Sequence, residues 1–172
     1  MSVRMAKANG LELAYEQIGD AGNPPVLLIM GLGSQMISWP DGFCEQLAGR
    51  SFHVTRYDNR DAGLSTHFTE MGTPDIEAFM RGEEQSPPYL VEDMADDAAS
   101  LLEALSLSPA HVVGVSMGGM IAQSVAINHP ESVRSLTSIM STPSISVGAP
   151  TGEILEVLAA PPAKSRPPAP RP

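Results

Sequence analysis

The residues with the clearest chemical potential lie in "HVVGVSMGGM", residues 111–120, where a serine stands between glycines as Gly114-Val115-Ser116-Met117-Gly118. A short apolar run precedes it and a helix-like run follows, the context of a sharp strand-to-helix turn. Such a turn holds its central residue in an unfavourable backbone geometry and needs small neighbours, here Gly114 and Gly118. It lifts the Ser116 hydroxyl above a sheet and sets it at a helix N-terminus, where free N–H groups favour developing negative charge. The chemistry this suits is nucleophilic attack on an acyl carbonyl.

Acyl transfer also needs two donors aimed at the tetrahedral oxyanion. The backbone N–H of Met117, next after the serine, is one candidate. The other is the N–H of Leu32 in Gly31-Leu32-Gly33, whose glycines let a loop approach substrate closely after the apolar run "VLLIM" at 26–30. Read alone, that loop serves equally as a plain strand exit.

The elements that must position these groups follow from pattern. "SVRMAKA" and "LELAYEQI" flank Asn9-Gly10, a hairpin dipeptide, and predict an antiparallel pair. "VLLIM" reads as a strand covered on both faces. Phe43 and Leu47, four apart in "DGFCEQLAGR", suit a short amphipathic helix. "FHVTRY" is the next strand and ends at the polar loop "DNRDAGLST". Residues 66–88, with three prolines, read as loop. From Tyr89 the pattern is helical, with Leu90, Met94, Ala98, Leu101, Leu102 and Leu105 on one face. Glu92, Asp93, Asp96 and Asp97 between them read as a solvated face rather than a metal cluster. "HVVGV", "MGGMIAQSVAINHP" and "SVRSLTSIM" continue as strand, helix and strand. The fold class is therefore α/β, a mostly parallel sheet with helices on both faces.

Composition narrows the function. The 172 residues carry a net charge of −10, from 20 acidic and 10 basic residues, which argues against nucleic-acid or anionic membrane surfaces. Hydrophobic content of 42% and charged content of 17% read as globular. Cys44 is the sole cysteine, so no disulfide framework or thiol-rich metal site is expected. The opening "MSVRMAKANG" lacks the apolar stretch of a signal peptide, and no run approaches membrane-spanning length. A cytoplasmic protein without membrane association, metal or cofactor is expected.

Taken together, "VLLIMGLGSQMISWPDGFCEQLA", "FHVTRYDNRDAGLST", "YLVEDMADDAASLLEALSL" and "HVVGVSMGGMIAQSVAINHPESVRSLTSIMST" resemble the α/β-hydrolase fold family. The resemblance is closest to small bacterial hydrolases like the aclacinomycin methylesterase group. It implies a serine hydrolase of small-molecule carboxylic esters, with Ser116 as nucleophile and Leu32 and Met117 as oxyanion donors. Gly31, Gly33, Gly114 and Gly118 support them. Met30 stands where many members carry histidine. In "DNRDAGLST", Asp58, Arg60 and Ser65 match a common family loop, and the Asp-Arg pair is expected to brace it. Asp61 replaces a frequent glycine and receives no function. Haloalkane dehalogenases and epoxide hydrolases are set aside, because their nucleophile is aspartate where this chain has Ser116.

The resemblance also implies an acid and then a histidine after the strands following "SVRSLTSIM", in the order serine, acid, histidine. Nothing after Met140 resembles either strand and no histidine follows His129, so neither base nor acid is found. His53, His111 and His129 fall at strand or helix ends away from Ser116, with His129 expected to cap helix carbonyls. His67 alone falls near the active edge. Without its base, a serine triad loses roughly 10⁶ in rate, while an oxyanion hole and binding retain roughly 10³–10⁴ over water. The expected organisation is an incomplete hydrolase core over 1–142, lacking the last two strands and lid, the start of a lid region over 143–160, and a disordered tail over 161–172. "TGEILEVLAA" is a short helical candidate within the second of these. The tail "PPAKSRPPAPRP" contains Pro167–Pro170, a P-x-x-P match for a proline-binding module. A shifted reading frame near residue 165, or another truncation, is the favoured account of it. An exposed edge at "SVRSLTSIM" would let copies self-associate. The alternative function is a non-catalytic remnant that binds or regulates through that edge.

Overall fold

The computed structural model describes residues 2–72, 86–144, 147–148 and 151–153. Strands β1 (Arg4–Ala8) and β2 (Leu11–Ile18) form the predicted hairpin. Asn9 and Gly10 both adopt positive φ, 48° and 76°, the geometry of a tight two-residue hairpin turn. Next come β3 (Pro25–Ile29), α1 (Asp41–Ala48), β4 (His53–Tyr57), α2 (Val91–Ala104), β5 (Ala110–Val115), α3 (Met117–Asn128) and β6 (Val133–Ile139). They make one six-stranded sheet in the order β1-β2-β4-β3-β5-β6. β4, β3, β5 and β6 are mutually parallel, and β2 joins β4 antiparallel.

Both faces of the sheet are covered, and β3 shows why its sequence is apolar throughout. Leu27 and Ile29 point into a core shared with Met94, Ala98, Leu101 and Leu102 of α2 and with Ile121 and Val125 of α3. Val26 and Leu28 point the other way, toward Trp39, Cys44 and Val54. Strand alternation thus feeds two cores from one run. β6 is different. Among the described residues it pairs only with β5 and is exposed along most of its length, with Leu136 40% accessible.

Several sequence expectations need correction. In α1 the fully buried residue is Cys44, while Phe43 is partly exposed and stacks on Trp39 at 5.5 Å. Leu90 precedes α2 and is exposed, so the buried face begins at Met94. The acids of α2 are not a uniformly solvated face. Asp97 is 1% exposed and takes a two-pronged bond from Arg60 at 2.6 and 2.7 Å, plus Asn9 Nδ2 at 2.8 Å. Asp93 accepts the Leu90 N–H at 2.6 Å and so caps the helix start. Asp96 pairs with His129 Nε2 at 2.7 Å, so the His129 ring does not cap helix carbonyls; its backbone N–H does, reaching Val125 O. No group of three or more metal-ligating side chains is present among the described residues, and no helix there is long and apolar enough to cross a membrane. Residues 73–85, most of "TGEILEVLAA" and all of the proline-rich tail lie outside the described residues.

His53 opens β4 with 5% exposure, and its Nδ1 has no partner. Burial chiefly, and Arg4 secondarily, hold its pKa below the ordinary 6.5. Between that depressed value and 6.5 the unfolded chain binds a proton that the folded chain refuses. Stability from this site is therefore full above pH 6.5 and falls as pH drops through the window. Chemical denaturation at several pH values should show a shallower loss of stability below pH 6.5 for His53→Gln than for the parent chain.

Candidate active site

Ser116 sits at the junction of β5 and α3 with φ 55° and ψ −124°. This is a strained conformation for a residue with a side chain, costing about 1–3 kcal/mol, and it is held by close packing on every side. A methyl group on Gly114 would overlap the Gly118 carbonyl, and one on Gly118 would overlap the Ile29 carbonyl at the end of β3. On Gly119 it would meet the Ser141 side chain. The serine's own N–H donates to Ile139 O at 2.9 Å, so β6 pins the turn from the far side. The hydroxyl-bearing residue is exposed at the top of the sheet.

The loop after β3 passes directly against this serine. A Cβ built on Gly31 would lie 3.0 Å from Ser116 Cβ and 3.5 Å from its Oγ. Gly31 O accepts the Ser34 N–H at 3.2 Å, closing a turn around Leu32 and Gly33, with φ +67° at Gly33. Leu32 stands out into solvent at 80% exposure. Met117 is the first residue of α3, so its N–H has no acceptor four residues back in the helix. The structure therefore brings together the residues singled out in both motifs: Gly31, Leu32 and Gly33 beside Gly114, Ser116, Met117 and Gly118.

The histidines are engaged elsewhere. His111 Nδ1 lies 2.7 Å from Ser135 Oγ, His129 meets Asp96, and His53 is buried at the start of β4. His67 Nε2 contacts Gly63 O at 3.1 Å, and its Nδ1 stands 3.9 Å from Asp61. None of the four histidine side chains hydrogen-bonds Ser116.

The "DNRDAGLST" loop braces the structure, though not through a bond between Asp58 and Arg60. Arg60 reaches Asp97 and lies over the Phe68 and Tyr89 rings. Asp58 is 2% exposed and accepts the N–H of Met36 at 2.6 Å and of Leu64 at 3.0 Å. Asp61 now has a reason: its φ is +60°, a conformation that glycine adopts freely, and its carboxylate accepts the Phe68 N–H at 2.6 Å. Asn59, passed over in the sequence, donates Nδ2 to Met30 O at 2.9 Å. A cavity of about 590 Å³ is lined by Asp61, Phe68, Tyr89 and neighbours, and not by Ser116. Burial, then the Asp61 carboxylate, push the Tyr89 phenol there up to about 12.

A strained serine at a helix N-terminus, above a sheet with this strand order and beside a glycine loop, defines a class of hydrolase folds. The pattern described as alpha/beta hydrolase fold matches residues 24–165, and the chain belongs to that family. A rhodomycin D methylesterase from Streptomyces sp. (strain C5) is 36% identical over 140 residues, which is 81% of this chain and 42% of the relative. The rhodomycin D methylesterase of Streptomyces peucetius is 34% identical over the same shares. The chain thus spans less than half the length of these relatives. Among solved structures, a hydrolase from Pseudomonas aeruginosa superposes with TM-score 0.63 at 28% identity, covering 78% of this chain and 44% of that one. A bacterial membrane phospholipase A gives TM-score 0.66 at 31% identity, covering 82% and 40%.

The packing separates two glycines cleanly. Gly118→Ala must push backbone aside and should lower unfolding stability by about 1–3 kcal/mol. Gly42, within α1, has open space around it, so Gly42→Ala should be neutral or stabilising by up to about 1 kcal/mol. Urea denaturation of the two variants checks both.

Proposed function

We propose that this chain carries the nucleophile and oxyanion half of a serine hydrolase acting on carboxylic esters. The observation that carries this reading is the backbone of Ser116, held at φ 55° with the Gly31 loop against it. Ser116 Oγ attacks the ester carbonyl, the alkoxide leaves, and water later releases the acyl group. The Met117 and Leu32 N–H groups receive the oxyanion. Methyl esters are the first substrates to try, since two relatives are named for a methylesterase activity.

A base is needed for turnover at neutral pH, and each of the four histidines is occupied or buried away from Ser116. In this reading the base and its orienting acid belong to the part of the relatives' length that the chain does not span. The 172 residues alone are then feeble, by roughly the 10⁶ that a missing triad base costs.

A second reading, a non-catalytic module that binds through its open sheet edge, draws on the exposure of β6. Size-exclusion chromatography of the purified chain bears on it: a well-behaved monomer with no partner counts against it. For the enzymatic reading, incubation with a fluorophosphonate at pH 7 should label Ser116 very slowly or not at all, by intact mass. Ser116→Ala should abolish any labelling. Rapid stoichiometric labelling would reveal a base within these residues and overturn the assignment of the missing half.

A further inference from the structure

The loop that carries Leu32 is nearly free of packing at its tip, yet both of its ends are held by two consecutive residues of the neighbouring strand's exit. At the entry, Asn59 Nδ2 donates to Met30 O at 2.9 Å. At the far end, Asp58 Oδ1 accepts the Met36 N–H at 2.6 Å. Both clamping residues are buried, at 3% and 2% exposure. Between these anchors the turn has one backbone bond of its own, Ser34 N–H to Gly31 O.

The anchors are themselves anchored. Asp58 N–H donates to Ala14 O at 2.9 Å, and Asp58 O accepts the Ser65 hydroxyl at 2.6 Å. Ser65 Oγ in turn accepts the Ala14 N–H at 2.9 Å. Gly63 has φ +54°, and the Asp58 carboxylate occupies the place where a Cβ at Gly63 would stand. The spacing Asp58-x-x-x-x-Gly63-x-Ser65 thus fixes one aspartate: Gly63 leaves room for its carboxylate and Ser65 holds its backbone carbonyl. Asn59 Oδ1 is buried with no partner. A buried amide with an orphan oxygen is costly to keep, and the bond it does make is the one to Met30.

We propose that Asp58 and Asn59 are positioning residues for the oxyanion loop, setting the Leu32 N–H at the height of Ser116 Oγ. This rests on the proposed role of Leu32 as a donor. Oxyanion stabilisation requires donors about 2.7–3.1 Å from the oxygen, and a displacement of about 1 Å costs about a hundredfold. A solvent-exposed turn meets that tolerance only if its ends are fixed.

The test uses the full 172-residue chain with Asn59→Leu, Asn59→Asp (near-isosteric, losing the Nδ2 donor), Leu32→Pro and the double variant Asn59→Leu/Leu32→Pro. Proline suits the second position of a turn whose third residue has positive φ, so Leu32→Pro removes the N–H with little other change. Amide hydrogen exchange should quicken at least tenfold at the bonded amides of Ser34 and Met36, within residues 31–36, in both Asn59 variants, with β5 and α3 unchanged. Fluorophosphonate labelling at pH 10, where hydroxide stands in for the base, should slow about tenfold to a hundredfold at saturating reagent, with the half-saturating concentration unaltered. In the Leu32→Pro background, Asn59→Leu should slow labelling no further. Unchanged exchange over 31–36 in both Asn59 variants overturns the proposal, as does equal slowing in both backgrounds. Normal labelling by Leu32→Pro overturns the donor role instead. If Leu32→Pro is slow and both Asn59 variants are normal, the clamp alone fails. Should Ser116 resist labelling even at pH 10, the exchange result decides.

Discussion

The close approach of α3 to the end of β3 is the constraint on which the site depends. Gly118 leaves no room for one carbon against the Ile29 carbonyl, and Gly114 leaves none against Gly118. Distances this short fix where a helix can start relative to two strands. The fixed start places the first-turn N–H groups and the serine together, and the serine's backbone adopts an otherwise unfavourable conformation to fit. Strain at Ser116 is local, and the packing of two cores, one on each sheet face, outweighs it.

Buried ion pairs do a complementary task by holding non-repetitive chain. Arg56 on β4 bonds Glu16 of β2 at 2.6 and 2.9 Å, Asp41 at 2.7 Å and the Trp39 carbonyl, tying the loop before α1 to the sheet. Arg60 does likewise for the loop after β4, through Asp97 of α2. Such pairs add little net stability over apolar packing, but breaking one leaves an uncompensated buried charge. They act here as fasteners for loops that have no ladder of their own.

Much of this was legible in the sequence because the governing signals are local. The hairpin follows from Asn9-Gly10, the doubly buried strand from "VLLIM", and the serine turn from glycines two residues on either side of Ser116. What escaped was set by partners distant in the chain. Asp97 reads as one acid among four on a helix, and its partners Arg60, 37 residues earlier, and Asn9, 88 residues earlier, make it a buried one. Asn59 has no signal of its own, since its partner is a backbone carbonyl 29 residues away. Asp61 was unexplained because a positive φ is a property of the loop as a whole. Phe43 fitted helical spacing but lost the buried place to Cys44, because Trp39 occupies the adjoining space and offers a ring to stack on.

The bond from Ser116 N–H to Ile139 O has a bearing on how the site comes into being. Among the described residues the last strand in chain order lies at one edge of the sheet, and its carbonyl completes the hold on the serine. During synthesis the serine turn therefore lacks this bond until residue 139 has left the ribosome and docked. In the finished fold, whatever lies along that outer strand touches, at one remove, the backbone of Ser116. Load on the rim of the sheet reaches the serine turn through this bond together with the β5–β6 ladder that ends beside it.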